Sequence, residues 1–148
     1  MPVIKQKGFT LIELLVVLVI ISIVATAAFL AAGDFGQKRN IKISGQQFQN
    51  FLNLAKERAL LTDQSIGIAV NQTGYQFFVL SADGKKWLPL QDELLNQMQW
   101  PNSASIIIKN VPSQQQVQII INPEGEISGF DLQLYEGNDL VMEIKNNA

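Results

Sequence analysis

The chain has 148 residues, 47% of them hydrophobic, and carries 11 Lys/Arg against 13 Asp/Glu for a formal net charge of −2. It has no cysteine and no histidine. That excludes disulfide staples, Ser-His-Asp and Cys-His catalysis and the commonest metal ligand. Catalysis by carboxylates alone stays possible but has no supporting motif, and no catalytic, cofactor-binding or metal-ligating residue is expected.

The chain opens with a short polar leader holding Lys5 and Lys7. Residues 8–33, GFTLIELLVVLVIISIVATAAFLAAG, follow with Glu13 as their single charge. At 1.5 Å per residue an unbroken helix of this length reaches roughly 39 Å, more than the ~30 Å hydrocarbon core of a bilayer. A carboxylate at the bilayer centre costs about 2.5–3.5 kcal/mol on insertion scales. Near one end of the run, Glu13 costs less. It is either a spectator at headgroup depth or the partner of a cation at the same depth. No Lys or Arg lies between Lys7 and Lys38. An amine released at Phe9 by cleavage after Gly8 is such a cation, able to pair with Glu13 of its own or a neighbouring chain. The rival reading is a secretory signal, with residues 14–24 as its apolar segment and Ala25-Thr26-Ala27 as its cleavage site. It leaves Glu13 and the Gly8-Phe9 junction without a purpose.

Lys7-Gly8-Phe9-Thr10-Leu11-Ile12-Glu13, ahead of an uncharged apolar run, resembles the leader and cleavage site of type IV pilins and type II secretion pseudopilins. The resemblance implies that a prepilin peptidase cuts after Gly8 on the cytoplasmic side and N-methylates Phe9. It also implies that Glu13 pairs with the N-terminal amine of an adjacent subunit during filament assembly. Residues 1–8 are then a leader, 9–33 a transmembrane and filament-core helix, and 34–148 a periplasmic domain. The basic residues do not orient the span, because Lys38, Arg39 and Lys42 lie on the far side as Lys5 and Lys7 do on the near one. The resemblance does so, placing a single span in the bacterial inner membrane with the C-terminal domain outside.

With the apolar run set aside, about 115 residues remain, enough for one domain with a modest core. Gly33-Asp34-Phe35-Gly36 follows the run. Two glycines three apart cost about 1 kcal/mol each in a helix interior, and they mark either a bend or partly melted turn, or a plain helix end with Asp34 capping the next segment. Residues 41–61 form an amphipathic helix with Phe48, Phe51, Leu52, Ala55 and Ala59 on one buried face. Lys38, Arg39 and Lys42 make a basic cluster at its start, suited to anionic headgroups.

From Ser65 the period changes to two. Residues 66–70 and 75–80 are strands joined at Asn71-Gln72-Thr73-Gly74, whose glycosylation pattern is read as turn chemistry. Ala82-Asp83-Gly84-Lys85 is a turn, residues 86–90 a short strand and 92–98 one or two helical turns. Residues 105–111 and 116–121 bracket Pro112-Ser113-Gln114-Gln115 as a second hairpin. After the Asn122-Pro123-Glu124-Gly125 turn, residues 126–135 alternate Phe130, Leu132 and Leu134 against Asp131, Gln133 and Tyr135. Glu136-Gly137-Asn138 leads into a last strand at 140–145. A long helix followed by about seven strands in two small layers is an α+β fold. Trp87 and Trp100 are read as core or edge-packing residues rather than interface anchors, and Asp131, Glu136 and Asp139 as solvated acids rather than a calcium site.

The helix ending Leu54-Ala55-Lys56-Glu57-Arg58-Ala59-Leu60 is similar to that of H-type minor pseudopilins. So are Gly74-Tyr75-Gln76-Phe77, Trp87-Leu88-Pro89-Leu90, Trp100-Pro101 and Asn122-Pro123-Glu124-Gly125. The apolar helix lacks the proline of many major pilins, and the chain lacks the C-terminal disulfide loop of type IV pilins. The implied function is a minor subunit at or near the tip of the pseudopilus that drives protein export. Its implied partners are other minor and major pseudopilins, the inner-membrane platform and the prepilin peptidase. The alternative is a minor type IV pilin involved in pilus assembly or DNA uptake. Nucleic acid is not expected as a partner. After Lys109 only Lys145 stands against Glu124, Glu126, Asp131, Glu136, Asp139 and Glu143, and an acidic surface repels phosphate.

Overall fold

The computed structural model describes residues 8–112 and 115–147. They belong to two compact units, Met1–Gly36 and Gln37–Ala148. One helix, α1 (Leu11–Thr62), runs through both.

In the first unit the helix is apolar on every side. Its large side chains are exposed, from Leu11 at 88% to Val17 at 45%. Its hydroxyls are satisfied within the helix: Ser22 Oγ donates to the Leu18 carbonyl and Thr26 Oγ1 to the Ser22 carbonyl, both at 2.7 Å. Back-bonding of this kind lets Ser and Thr sit in a medium without water. The helix is long and apolar enough to cross a membrane. At Gly33 and Gly36 the helical hydrogen bonding continues. There is neither a helix end nor a melted turn, and Asp34 lies inside the helix instead of at a cap. Each glycine weakens propagation, but restarting a helix three residues later would require a second costly nucleus.

In the second unit α1 turns amphipathic. Ile41, Ser44, Phe48, Leu52, Ala55 and Ala59 are buried, with Phe51 and Leu54 partly so. The stripe anticipated from spacing is the real one, extended upstream by Ile41 and Ser44. Gly45 belongs to it because Met142 lies where a Cβ would stand.

Two antiparallel sheets complete this unit. The first contains β1 (Ile66–Val70), β2 (Gly74–Leu80), β3 (Trp87–Pro89), β4 (Met98–Gln99) and, beyond the second sheet's first strand in sequence, β6 (Ile119–Ile121). Its order is β3-β2-β1-β6, with β4 pairing the start of β2. The second contains β5 (Ala104–Lys109), β7 (Phe130–Glu136) and β8 (Asp139–Asn146), with β7 central. The β1–β2 hairpin is as expected, and so is the β7–β8 hairpin. Asn71 Oδ1 builds the first turn by accepting from Thr73 N at 2.9 Å, Thr73 Oγ1 at 2.7 Å and Gly74 N at 2.9 Å.

Three expectations fail. β5 and β6 are not a hairpin: β5 pairs with β7 and β6 with β1, in different sheets. Asn110 takes a left-handed φ of 58° and Pro112 lacks a donor, so the chain turns out of one sheet before it joins the other. Residues 92–98 are not helical. Asp92 Oδ1 accepts from Leu94 N at 2.9 Å and Leu95 N at 3.3 Å, a local bond that competes with a helix too short to hold itself. Among the described residues the strands number eight, because Met98–Gln99 forms one of its own.

Phe48 sits at the centre. Its ring centroid lies 4.9 Å from that of Tyr75 in the first sheet, edge to face, 6.5 Å from Phe130 in the second and 5.7 Å from Trp100. Trp100 is buried, and its Nε1 donates to the Asn71 carbonyl at 3.1 Å. Trp87 is half-buried; its ring and Val117 fill the space where a Cβ on Gly67 would stand. Both tryptophans are packing residues.

Candidate functional site

The residues singled out in the sequence, Gly8, Phe9 and Glu13, surround the start of α1. Gly8, Phe9 and Thr10 precede the helix without regular structure, and Phe9 is 77% exposed. A peptide bond in an exposed, non-helical segment is accessible to a protease. Thr10 caps the helix. Its carbonyl accepts from Glu13 N at 3.1 Å and Leu14 N at 3.2 Å, and its Oγ1 accepts from Glu13 N at 3.3 Å. Glu13 is thus the third helical residue of a Thr-x-x-Glu start, the capping-box spacing. A carboxylate there also meets the positive end of the helix dipole, worth about 0.3–1 kcal/mol. Sequence reasoning missed the role of Thr10, although the spacing of the two residues carries the signal. Among the described residues the Glu13 carboxylate makes no ion pair.

The basic cluster past the apolar run is partly committed. Lys38 Nζ lies 2.7 Å from Asp139 Oδ2, and that hydrogen bond holds the Asp139 carboxyl below the usual carboxylate range. Arg39 and Lys42 are exposed.

Asp131, Glu136 and Asp139 do not converge on one point. Asp131 is buried on β7 with Lys145 Nζ 3.9 Å away, and Asp139 faces Lys38. Among the described residues no group of three His, Cys, Asp or Glu is placed to hold a metal ion. Glu143 is also engaged: Lys145 and Gln133 donate to it at 2.9 and 2.7 Å, lowering its pKa. An open polar groove lies along Lys56, Asn122, Glu124, Glu126, Ser128 and Asn146. Its side chains bond chiefly to the adjoining loop, Asn122 Nδ2 to Glu126 Oε2 at 3.0 Å and Asn146 Nδ2 to the Ile127 carbonyl at 2.7 Å.

The chain therefore offers two surfaces that call for a partner, the uncovered apolar helix and its exposed N-terminal motif. Comparison with known proteins bears on both. Residues 4–29 match the family described as the prokaryotic N-terminal methylation motif, a stretch that includes Gly8, Phe9 and Glu13. Residues 44–146 match the family described as type II transport protein GspH. The chain is 27% identical over 159 residues to type II secretion system protein H of Aeromonas hydrophila, covering 95% of this chain and 87% of that one. It is 29% identical over 136 residues to the protein of the same name from Escherichia coli K12, covering 86% and 80%. Among solved structures, the minor pseudopilin EpsH from the type 2 secretion system of Vibrio cholerae aligns with a TM-score of 0.57 and 27% identity, over 66% of this chain and 79% of that one. The solution structure of Escherichia coli GspH aligns with a TM-score of 0.63 over 74% and 83%, and at 22% identity it speaks for the fold alone. From residue 44 to residue 146 the match takes in the amphipathic helix and both sheets, and the chain belongs to the GspH family of type II transport proteins.

Proposed function

We propose that this chain is a minor pseudopilin of a type II secretion system, a structural subunit at or near the tip of a periplasmic pseudopilus. The observation that carries this reading is the joining of an N-terminal methylation motif to a GspH domain through one helix. Residues 1–8 are a leader removed after Gly8, and Phe9 becomes a methylated N-terminus. Residues 9–33 anchor the subunit in the inner membrane before assembly and pack in the filament core afterwards, while residues 34–148 face the periplasm. Its partners are other pseudopilins, the inner-membrane platform and the prepilin peptidase. Its role is structural rather than catalytic.

Glu13 has the assembly role. A Phe9 amine entering an apolar filament core needs a counter-charge, and an unpaired buried charge costs several kcal/mol. The test begins with mass spectrometry of the mature protein from membranes. A methylated N-terminus at Phe9 is expected; a mature chain starting at Ala28 refutes the reading. Glu13→Leu leaves the cleavage site intact and makes the run more apolar, so processing and insertion persist. Co-purification with partner subunits and secretion are expected to fall, with Glu13→Gln the milder change. Full assembly and secretion by processed Glu13→Leu would reduce Glu13 to a headgroup-level bystander.

A further inference from the structure

Among the described residues β3 and β6 end the first sheet, β5 and β8 the second. Three of these edges are closed by the chain itself. On β5, Gln72 Oε1 accepts from Ile106 N at 3.0 Å, Gln72 Nε2 donates to the Ile106 carbonyl, and Ala104 N donates to the Pro101 carbonyl at 2.9 Å. On β6, Ile120 N donates to Ser128 Oγ at 2.9 Å and the Ile120 carbonyl accepts from Ser128 N at 2.8 Å. On β3, Pro89 has no donor and the Trp87 carbonyl accepts from Gln116 Nε2 at 3.4 Å. The edge of β8 differs. Ile106 turns its main chain away from β7, so the register makes Leu132–Ile144 and Leu134–Met142 the hydrogen-bonded pairs of β7 with β8, and Glu143 and Lys145 turn theirs outward. Among the described residues nothing bonds to those outward groups. Edge charges commonly shield such groups, but here Lys145 pairs with Glu143 at 2.9 Å and Glu143 accepts from Gln133 at 2.7 Å, which draws both over the outer face of the sheet.

The helix forms a second wall beside this edge. Lys38 meets Asp139 at 2.7 Å, Met142 lies where a Cβ on Gly45 would stand, and Lys56 lines one groove with Asn146. Within this unit α1 and β8 therefore run side by side in the same direction, about 27 Å of helix along about 23 Å of strand. Lys42, Gln49 and Asn53 fall on the Gly45 side of α1 at helical spacing and are exposed. From Gln37 to Lys56 there is no Asp or Glu. Of the acids on β8, Asp139 is paired with Lys38, and Glu143 with Lys145 and Gln133. The flank is thus positive around Lys42 and polar along Gln49 and Asn53. Near Lys56, Glu124 and Glu126 line the same groove and offset its charge.

We propose that the channel between β8 and α1 receives an extended segment of a different, neighbouring subunit, added to the sheet at the outward main-chain groups of Glu143 and Lys145. Main-chain hydrogen bonds supply the affinity of such an addition, and the side chains turned to the helix supply its selectivity. An Asp or Glu of the segment faces Lys42, and amide or hydroxyl side chains face Gln49 and Asn53. The inference rests on the reading of the chain as a minor pseudopilin, whose neighbours near the tip are other subunits. A second copy is a poorer occupant. Antiparallel pairing of β8 with β8 turns the same flank of both helices towards each other, and neither carries an acid from Gln37 to Lys56 to meet the lysines of the other.

The test uses the full-length chain in secreting cells, with a photoreactive phenylalanine derivative in place of Gln49 or of Asn53, and in place of Ile20 in the apolar helix as a reference. Cross-linked peptides are identified by mass spectrometry. Positions 49 and 53 lie about 6 Å apart along the helix, the span of two residues in a strand. They are expected to capture residues two apart in one segment of another pseudopilin, with an Asp or Glu further along the same face. Glu143→Pro removes an outward N–H that the sheet does not use. Both cross-links are expected to fall to background in it and to persist in Glu143→Thr, which keeps the N–H. Lys42→Glu leaves the strand untouched and is expected to weaken capture as well, so the outcome does not hang on how Glu143→Pro folds. Undiminished capture in either Glu143→Pro or Lys42→Glu overturns the proposal. So does capture of a second copy, of an exported protein, or of peptides scattered over several segments. Capture of pseudopilins at position 20 alone overturns the proposal and leaves the subunit reading standing, whereas no pseudopilin captured at any of the three positions refutes both.

Discussion

Phe48→Ala tests whether the second unit closes its own core. Phe48 has no exposed surface and touches aromatic rings of both sheets, Tyr75 at 4.9 Å and Phe130 at 6.5 Å. A phenylalanine buries about 150–250 Å² or slightly less, which at about 25 cal/mol per Å² is ~4–6 kcal/mol relative to full exposure. Truncations of buried Phe to Ala cost about 3–5 kcal/mol. The two estimates meet near 4 kcal/mol, a large share of the ~5–15 kcal/mol of a whole domain. For a unit of roughly this size each kcal/mol moves the midpoint by about 3–5 °C, so Tm is expected to drop by ~12–20 °C. The assay is thermal and urea unfolding of a fragment beginning at Gln37, with Leu61→Ala as the exposed control, expected within about 0.5 kcal/mol of wild type. The fragment itself is expected to be soluble, monomeric at assay concentration and cooperative. A cost below about 1 kcal/mol for Phe48→Ala, or no cooperative transition in the parent fragment, would mean that another chain completes the stripe on α1.

Gly74→Ala is expected to lose at least about 1–3 kcal/mol, because the new Cβ would collide with the Met98 carbonyl, which is backbone and has no rotamer to change. Hydrogen exchange should speed up where Gly74 and Tyr75 pair with Gln99 and Met98. Burial pushes the Tyr75 hydroxyl up to about 12 from 10. The folded state therefore holds this proton more tightly than the unfolded one. The associated stability is complete below pH ~10 and is lost as pH rises towards ~12, about 2–3 kcal/mol in all. Unfolding of the fragment from pH 9 to 12 reads the loss, and Tyr75→Phe should remove it.

The amphipathic stripe and the β1–β2 and β7–β8 hairpins were legible because each is set by local chemistry. The stripe follows from helical spacing around Phe48, and the hairpins from Asn71 and Gly137 between alternating runs. The relation of β5 to β6 was not legible. Two apolar runs around a proline turn read as neighbours, and only a long-range choice between β1 and β7 as partners sends them to different sheets. Alternation along β7 also understated burial. Asp131 and Gln133 lie on its polar side yet are buried, because Lys145 and Glu143 on the neighbouring strand reach across them. A single-strand pattern carries no information about what an adjacent strand covers.

At the candidate site the sequence exposed the oddity of Glu13 but treated it as a question of charge alone. The structure gives Glu13 a second, local setting: it is the third residue of a helix start capped by Thr10, where a carboxylate meets the positive end of the helix dipole. The two roles separate experimentally. Thr10→Val removes the side-chain acceptor, worth about 0.5–2 kcal/mol at a helix start, and leaves the carboxylate in place. If pairing with a neighbouring amine is what assembly requires, Thr10→Val frays the first turn but keeps most co-purification with partner subunits, while Glu13→Leu does not. If the helix start is what matters, Thr10→Val should match or exceed the defect of Glu13→Leu, and Glu13→Gln should be close to neutral. The first ordering is expected, because a cap on a helix of this length acts only on its first turn, whereas an unpaired charge in an apolar core burdens every contact made around it.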